Sequence, residues 1–158
     1  MRLKKKDVSK MALGFALLIG LVLFITAYGK FFYPAASLRG VDRVVSLFEI
    51  ILLISLVGFR RFGRVWLGSS VIFGAWAGYA WFWYTVKLPC GCMGELLYIP
   101  SSFSLAVDLL FIALSLMMAY LLKVKKGDLY KGGSCSAAAC VVGYFCAEAI
   151  YRYWVLVP

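Results

Sequence analysis

The chain has no histidine among its 158 residues, only four prolines and only seven acidic residues. Without an imidazole there is no Ser-His or Cys-His catalysis, no histidine metal motif and no histidine haem ligation. Charge is scarce as well: charged residues make up 15% of the sequence against a hydrophobic share of 64%, and the mean hydropathy is +0.91. A soluble domain carries about a quarter charged residues and roughly half apolar ones. One soluble core of this size cannot hide so much apolar surface, so lipid is the expected solvent for much of it. A soluble enzyme, a disordered chain and a disulfide-packed secreted miniprotein are thereby excluded. Aromatic residues are abundant at 17%, and seventeen basic residues give a formal charge of +10. In a membrane protein that charge is first a topogenic signal rather than a nucleic-acid surface.

A hydrocarbon core about 30 Å thick needs roughly 20 mostly apolar residues per helix. Five segments approach that length: Met11 to Tyr28, Val44 to Phe59, Val65 to about Val86, about Ser102 to Leu122, and about Ala137 to Val157. Glu148 and Arg152 interrupt the last of them, one turn apart and able to pair. The expected fold is therefore all-α, a polytopic membrane helical bundle with four core helices and a fifth at the carboxyl end. No internal repeat or low-complexity linker divides it.

Basic residues set the expected orientation. They crowd the amino terminus, the Arg60-Arg61-Phe62-Gly63-Arg64 hinge and the Lys123 to Lys131 stretch, and thin out in the alternate loops. The positive-inside rule then places the amino terminus in the cytoplasm and the chain in the inner membrane, multi-pass. The first segment reads as an uncleaved signal anchor. Tyr79, Trp81, Trp83 and Tyr84 crowd the outer end of the third segment. They read as an interfacial aromatic belt, in preference to a quinone-stacking site. Gly74 and Gly78 form a small-xxx-small pair suited to close helix approach.

The chemically distinctive stretch is Leu88-Pro89-Cys90-Gly91-Cys92-Met93-Gly94, which this orientation puts on the extracytoplasmic, oxidising side. Two cysteines one residue apart close only a very small disulfide ring, so the chain between them has to bend sharply. Gly91 permits the bend and Pro89 sets the approach. A strained, accessible disulfide is easily reduced, and Lys87 favours the thiolate. Redox exchange is the preferred reading of Cys90 and Cys92. A static disulfide and a soft site for cuprous ion, with Met93 as a third donor, are the alternatives. No resident metal or cofactor is required, and quinone or cuprous ion stand as lesser possibilities.

Cys135, Cys140 and Cys146 follow in the last fifth of the chain. Cys140 and Cys146 fall on different helix faces and read as small apolar residues. A relay of electrons across the membrane is the sharper alternative. A helix entering at Ala137 places Cys146 near mid-membrane, on the order of a dozen ångströms below the outer pair. All three are therefore expected to be replaceable with the outer dithiol still active. Acidic residues inside a bilayer need partners, protons or water. Glu49 and Asp108 each lie within about two turns of the outer end of their segments, as a structural polar cluster or a proton-handling site.

Three stretches together resemble the DoxX-like membrane proteins, and within them the methylamine-utilisation MauE family. They are Tyr28-Gly29-Lys30-Phe31-Phe32-Tyr33-Pro34, then Leu47-Phe48-Glu49-Ile50 running on to Gly58-Phe59-Arg60-Arg61, then Pro89-Cys90-Gly91-Cys92-Met93-Gly94. The last is similar to the family's Cys-Gly-Cys-Phe-Gly loop, with methionine in place of phenylalanine. The resemblance covers about residues 11 to 122. It implies a four-helix membrane domain over residues 1–122, and a role in redox maturation of exported proteins beside a thioredoxin-like partner or a disulfide-bearing client. In the methylamine system that client is the small subunit of methylamine dehydrogenase. Residues 123–158, a basic loop and a fifth helix, depart from the family pattern. A non-enzymatic assembly subunit and a cuprous-ion handling protein are the rival functions.

Overall fold

The computed structural model describes residues 5–33, 39–88 and 99–154. It is all-helical over those residues, with α1 Lys5–Phe32, α2 Arg39–Gly58, α3 Gly63–Thr85, α4 Ser101–Leu121 and α5 Lys126–Trp154. Three spans, Asp7–Phe32, Ser101–Leu121 and Lys126–Tyr153, are long and apolar enough to cross a membrane by length and composition. The distribution of side chains points the same way. Large apolar residues such as Leu21, Phe24, Ile51 and Leu110 face outward, while Lys30, Asp42, Glu49, Ser69, Ser70 and Asp108 are buried. Water would drive the opposite sorting; in lipid, polar groups must be satisfied inside the bundle.

The helices group into a pair and a trio. α1 and α2 form an antiparallel hairpin, with Gly20 against Leu53 and Val57 and, further along, Lys30 against Glu49. α3 is the centre of the second group. On one side it meets α4 antiparallel, through Phe73 on Phe111 at 5.1 Å between ring centroids and hydrogen-bonded Ser69 and Ser115 hydroxyls 3.1 Å apart. On the other it meets α5 in parallel, through Ser70 and Ser136 hydroxyls 3.0 Å apart. The α3–α5 seam is close because it is built from small residues. A β-carbon on Gly74 would strike the backbone of Ser136, one on Gly78 the carbonyl of Cys140, and one on Gly143 the carbonyl of Ala75. The small-xxx-small pair thus has a definite partner, helix α5.

α1 begins at Lys5 rather than Met11 and α2 at Arg39 rather than Val44, and two further boundaries differ in ways that bear on the site. α1 runs on past Tyr28 to Phe32, so Lys30 belongs to a helix and not to a loop. α5 starts at Lys126 rather than near Ala137. Gly132 and Gly133 look like a break in sequence, yet Gly132 sits where the Leu67 side chain needs room. Glycine serves helix packing in membranes more than helix breaking. The aromatic cluster also divides. Trp81 and Tyr84 are exposed, as a belt requires, whereas Trp83 is buried and Tyr79 turns toward the bundle interior. One helix face cannot hold all four, because residues 79 and 83 share a side that 81 and 84 do not.

α3 and α4 end alike. Lys87 and Lys123 take left-handed backbone angles, φ 55° and 59°, and the next amides reach back to Trp83 and Ala119 carbonyls at 3.1 and 3.2 Å. This is the Schellman closure normally given to glycine. Lys123→Gly should therefore raise stability by about 1 kcal/mol, read as a higher thermal midpoint in detergent. A lowered midpoint would show that the lysine side chain contributes more than its backbone strain costs.

Candidate functional site

A cavity of about 430 Å³ lies among the five helices, and each of them contributes to its wall. Its polar end is built first by the α1–α2 hairpin. Lys30, near the end of α1, makes an ion pair with Glu49 of α2, and both side chains are buried. Lys30 satisfies one carboxylate oxygen only; Glu49 Oε2 is buried with no hydrogen-bond partner. Asp42 and Thr26 stand beside the pair, and the Thr26 hydroxyl donates to the Leu23 carbonyl at 3.0 Å. Asp108 projects from α4, about two turns from its start, and faces the same space. Its side chain is 9% exposed and has no hydrogen-bond or ion-pair partner among the described residues. It lies close enough to Lys30 and Glu49 to feel both charges.

The remaining wall is aromatic and aliphatic: Phe73, Trp76 and Tyr79 from α3, Phe103 and Phe111 from α4. Phe73 packs edge-on against both Trp76 and Phe111 at 5.3 and 5.1 Å, which fixes that side of the cavity. On the α5 side the wall is Val142, Gly143 and Cys146. Val142 and Cys146 are also exposed, so the cavity is reached sideways between helices and is not sealed.

Of the residues expected to carry chemistry, Glu49 and Asp108 meet at this one cavity. Cys90, Cys92 and Met93 lie outside the described residues. The described chain stops at Leu88, just beyond α3, and resumes at Ile99, itself part of the cavity wall. Glu148 and Arg152 do pair along α5, at 2.6 Å, but do not line the cavity. Cys135, Cys140 and Cys146 are free thiols. Among the described residues no group of three or more histidine, cysteine or acidic side chains is arranged to hold a metal ion.

Two features were not visible in the sequence. Lys30 reads there as a loop lysine, and its only signal is position, in the last turn of α1. Cys146 is placed higher than expected. Ser136 meets Ser70 and Cys140 meets Gly78, so the parallel register brings Cys146 level with roughly Ala80 to Tyr84. By the rise of a helix it then lies about 8 Å or less below the end of α3, and not near mid-membrane. The expected position failed because it was counted from Ala137, eleven residues after the helix begins.

Comparison of the chain with family models, curated proteins and solved structures gave no match. The site is read from its own chemistry.

Proposed function

We propose that the protein is an integral membrane thiol–disulfide redox protein, resembling MauE, that supports the redox maturation of exported proteins through Cys90 and Cys92. One observation supports this most: Ile99, the first described residue after the two cysteines, lines a cavity with buried ionisable groups. A positioned acid or base can take up the proton released when a thiol becomes a thiolate, and the Glu49 and Asp108 carboxyls line this cavity. In this reading all five helices cross the inner membrane with the amino terminus in the cytoplasm.

Exchange would proceed by attack of one thiolate on a disulfide of an exported thioredoxin-like partner or client. A mixed disulfide forms, and the second thiolate resolves it. Either Cys90→Ser or Cys92→Ser should then abolish client exchange, with the helix content and membrane insertion of the variant unchanged. A membrane-impermeant thiol reagent should label the reduced pair in intact cells, in a background lacking Cys135, Cys140 and Cys146. Full activity in the double serine variant would favour an assembly subunit instead. Loss of bound copper in that variant and in Met93→Leu would favour cuprous-ion handling.

A further inference from the structure

The cavity lies where the α1–α2 hairpin meets the α3–α5 trio, two groups that touch each other sparsely. Its polar groups are unequally matched. The Lys30 ammonium is paired with Glu49, and Asp42 has an interaction of its own. Asp108 is more than nine-tenths buried and lines the cavity, yet has no hydrogen bond or ion pair among the described residues. Buried polar groups are seldom left unpaired without a reason. A carboxyl group away from water keeps its charge only beside a cation, and Lys30 makes its ion pair with Glu49 and not with Asp108. The polar end therefore has room for one more positive charge.

The rest of the wall selects which cation supplies it. A small inorganic ion needs several oxygen ligands to replace its water, and around Asp108 the wall is carbon, with Trp76 and Tyr79 from α3 and Phe103 from α4. An organic cation shielded by its own substituents carries little water, and aromatic rings attract it through their π faces. The volume of about 430 Å³ falls in the range of small-molecule sites. The entrance passes Val142 and Cys146, both exposed on α5, so in the membrane-spanning reading the occupant arrives from lipid. A phospholipid suits the site less well, because its phosphate would meet the Asp108 carboxyl and an ammonium already paired.

We propose that this cavity binds a lipophilic organic cation, an onium ion with aryl or alkyl substituents, through an ion pair with Asp108. The charge sits against the carboxylate, and the substituents sit against Trp76, Tyr79 and Phe103. Any proton on the Asp108 carboxyl leaves as the cation enters, and no other bond is made or broken. Asp108 is a binding residue in this scheme. The site uses neither Cys90 nor Cys92, so it stands apart from the thiol–disulfide reading above.

The test uses the full chain in nanodiscs and radiolabelled methyltriphenylphosphonium, with uptake by empty nanodiscs subtracted. Binding should saturate at one cation per chain, and triphenylethane, the uncharged carbon analogue, should not displace it. Asp108→Asn, which keeps the shape and removes the charge, should weaken binding about tenfold or more, while Asp108→Glu should keep most of it. Trp76→Leu should weaken it about fivefold. Asp108→Asn should also unfold at the wild-type temperature or above it, because its carboxyl has no protein partner to lose. The Cys90→Ser/Cys92→Ser variant should bind as the wild type does. Absence of saturable binding, equal affinity in Asp108→Asn, displacement by triphenylethane or loss of binding in the cysteine variant would each overturn the proposal. So would a marked fall in the unfolding temperature of Asp108→Asn, which would show that the protein itself holds the carboxyl. Cation binding in a wild-type protein that exchanges no disulfide would overturn the thiol–disulfide reading alone.

Discussion

Glu49→Ala is expected to destabilise the folded protein by about 3–5 kcal/mol, the cost of leaving a buried ammonium without its counter-charge. Lys30 is 7% exposed and Glu49 is its only ion-pair partner among the described residues. Asp108 is near but makes no ion pair with it. Removing both charges should be far less harmful. Lys30→Met with Glu49→Leu replaces a desolvated pair by apolar groups of similar size, a change that is often neutral or favourable. The two variants should therefore separate clearly in thermal or denaturant unfolding followed by circular dichroism in detergent. Equal losses would mean that Lys30 finds water or another acceptor, and that the pair is not the closed element described above.

The second large effect belongs to Gly78. A β-carbon there would overlap the carbonyl oxygen of Cys140 and crowd the amide of Tyr144, both backbone atoms that cannot turn aside. Gly78→Ala should cost about 1–3 kcal/mol or more, and Gly78→Leu should prevent α3 and α5 from docking. Gly68, on the same helix, has nothing within 4 Å of the corresponding position. Gly68→Ala should be neutral or stabilise by up to about 1 kcal/mol, the difference in helix propensity. Docking can be read directly by oxidising a Ser70→Cys/Ser136→Cys pair, whose hydroxyls are 3.0 Å apart in the native seam. That crosslink should form in the wild-type and Gly68→Ala backgrounds and fail in Gly78→Leu. Efficient crosslinking in Gly78→Leu would show that the seam can widen without coming apart.

The five apolar runs were legible because each is a local property of the chain, and all five appear as helices. Glu49 and Asp108 stood out for the same reason, as carboxyl groups inside runs that otherwise lack them. What depends on three-dimensional register was not legible. Hydropathy ends α1 at Tyr28 because Lys30 is charged, yet a lysine with a buried carboxylate opposite it continues the helix. Gly132 and Gly133 carry no mark that distinguishes a break from a packing face, so hydropathy alone starts α5 eleven residues after its true beginning at Lys126. The height of Cys146 and the existence of the cavity both follow from how far α5 slides along α3. That offset is set by Ser70, Gly74 and Gly78 meeting Ser136 and Cys140, residues 62 to 66 positions apart.

The Lys30–Glu49 pair has a consequence for how the chain enters a bilayer. A lone glutamate in an emerging helix opposes partition into lipid, and α2 carries one at its middle. Its partner lies on the preceding helix, only 19 residues earlier, so both charges are available before α3 has been synthesised. If both helices cross the bilayer as proposed above, they would leave the translocation machinery with these two charges already paired. Asp108 has no such early companion, because the groups nearest to it sit on that hairpin, more than fifty residues back. In the membrane-spanning reading proposed above, α4 would therefore meet these groups only once the hairpin is in place.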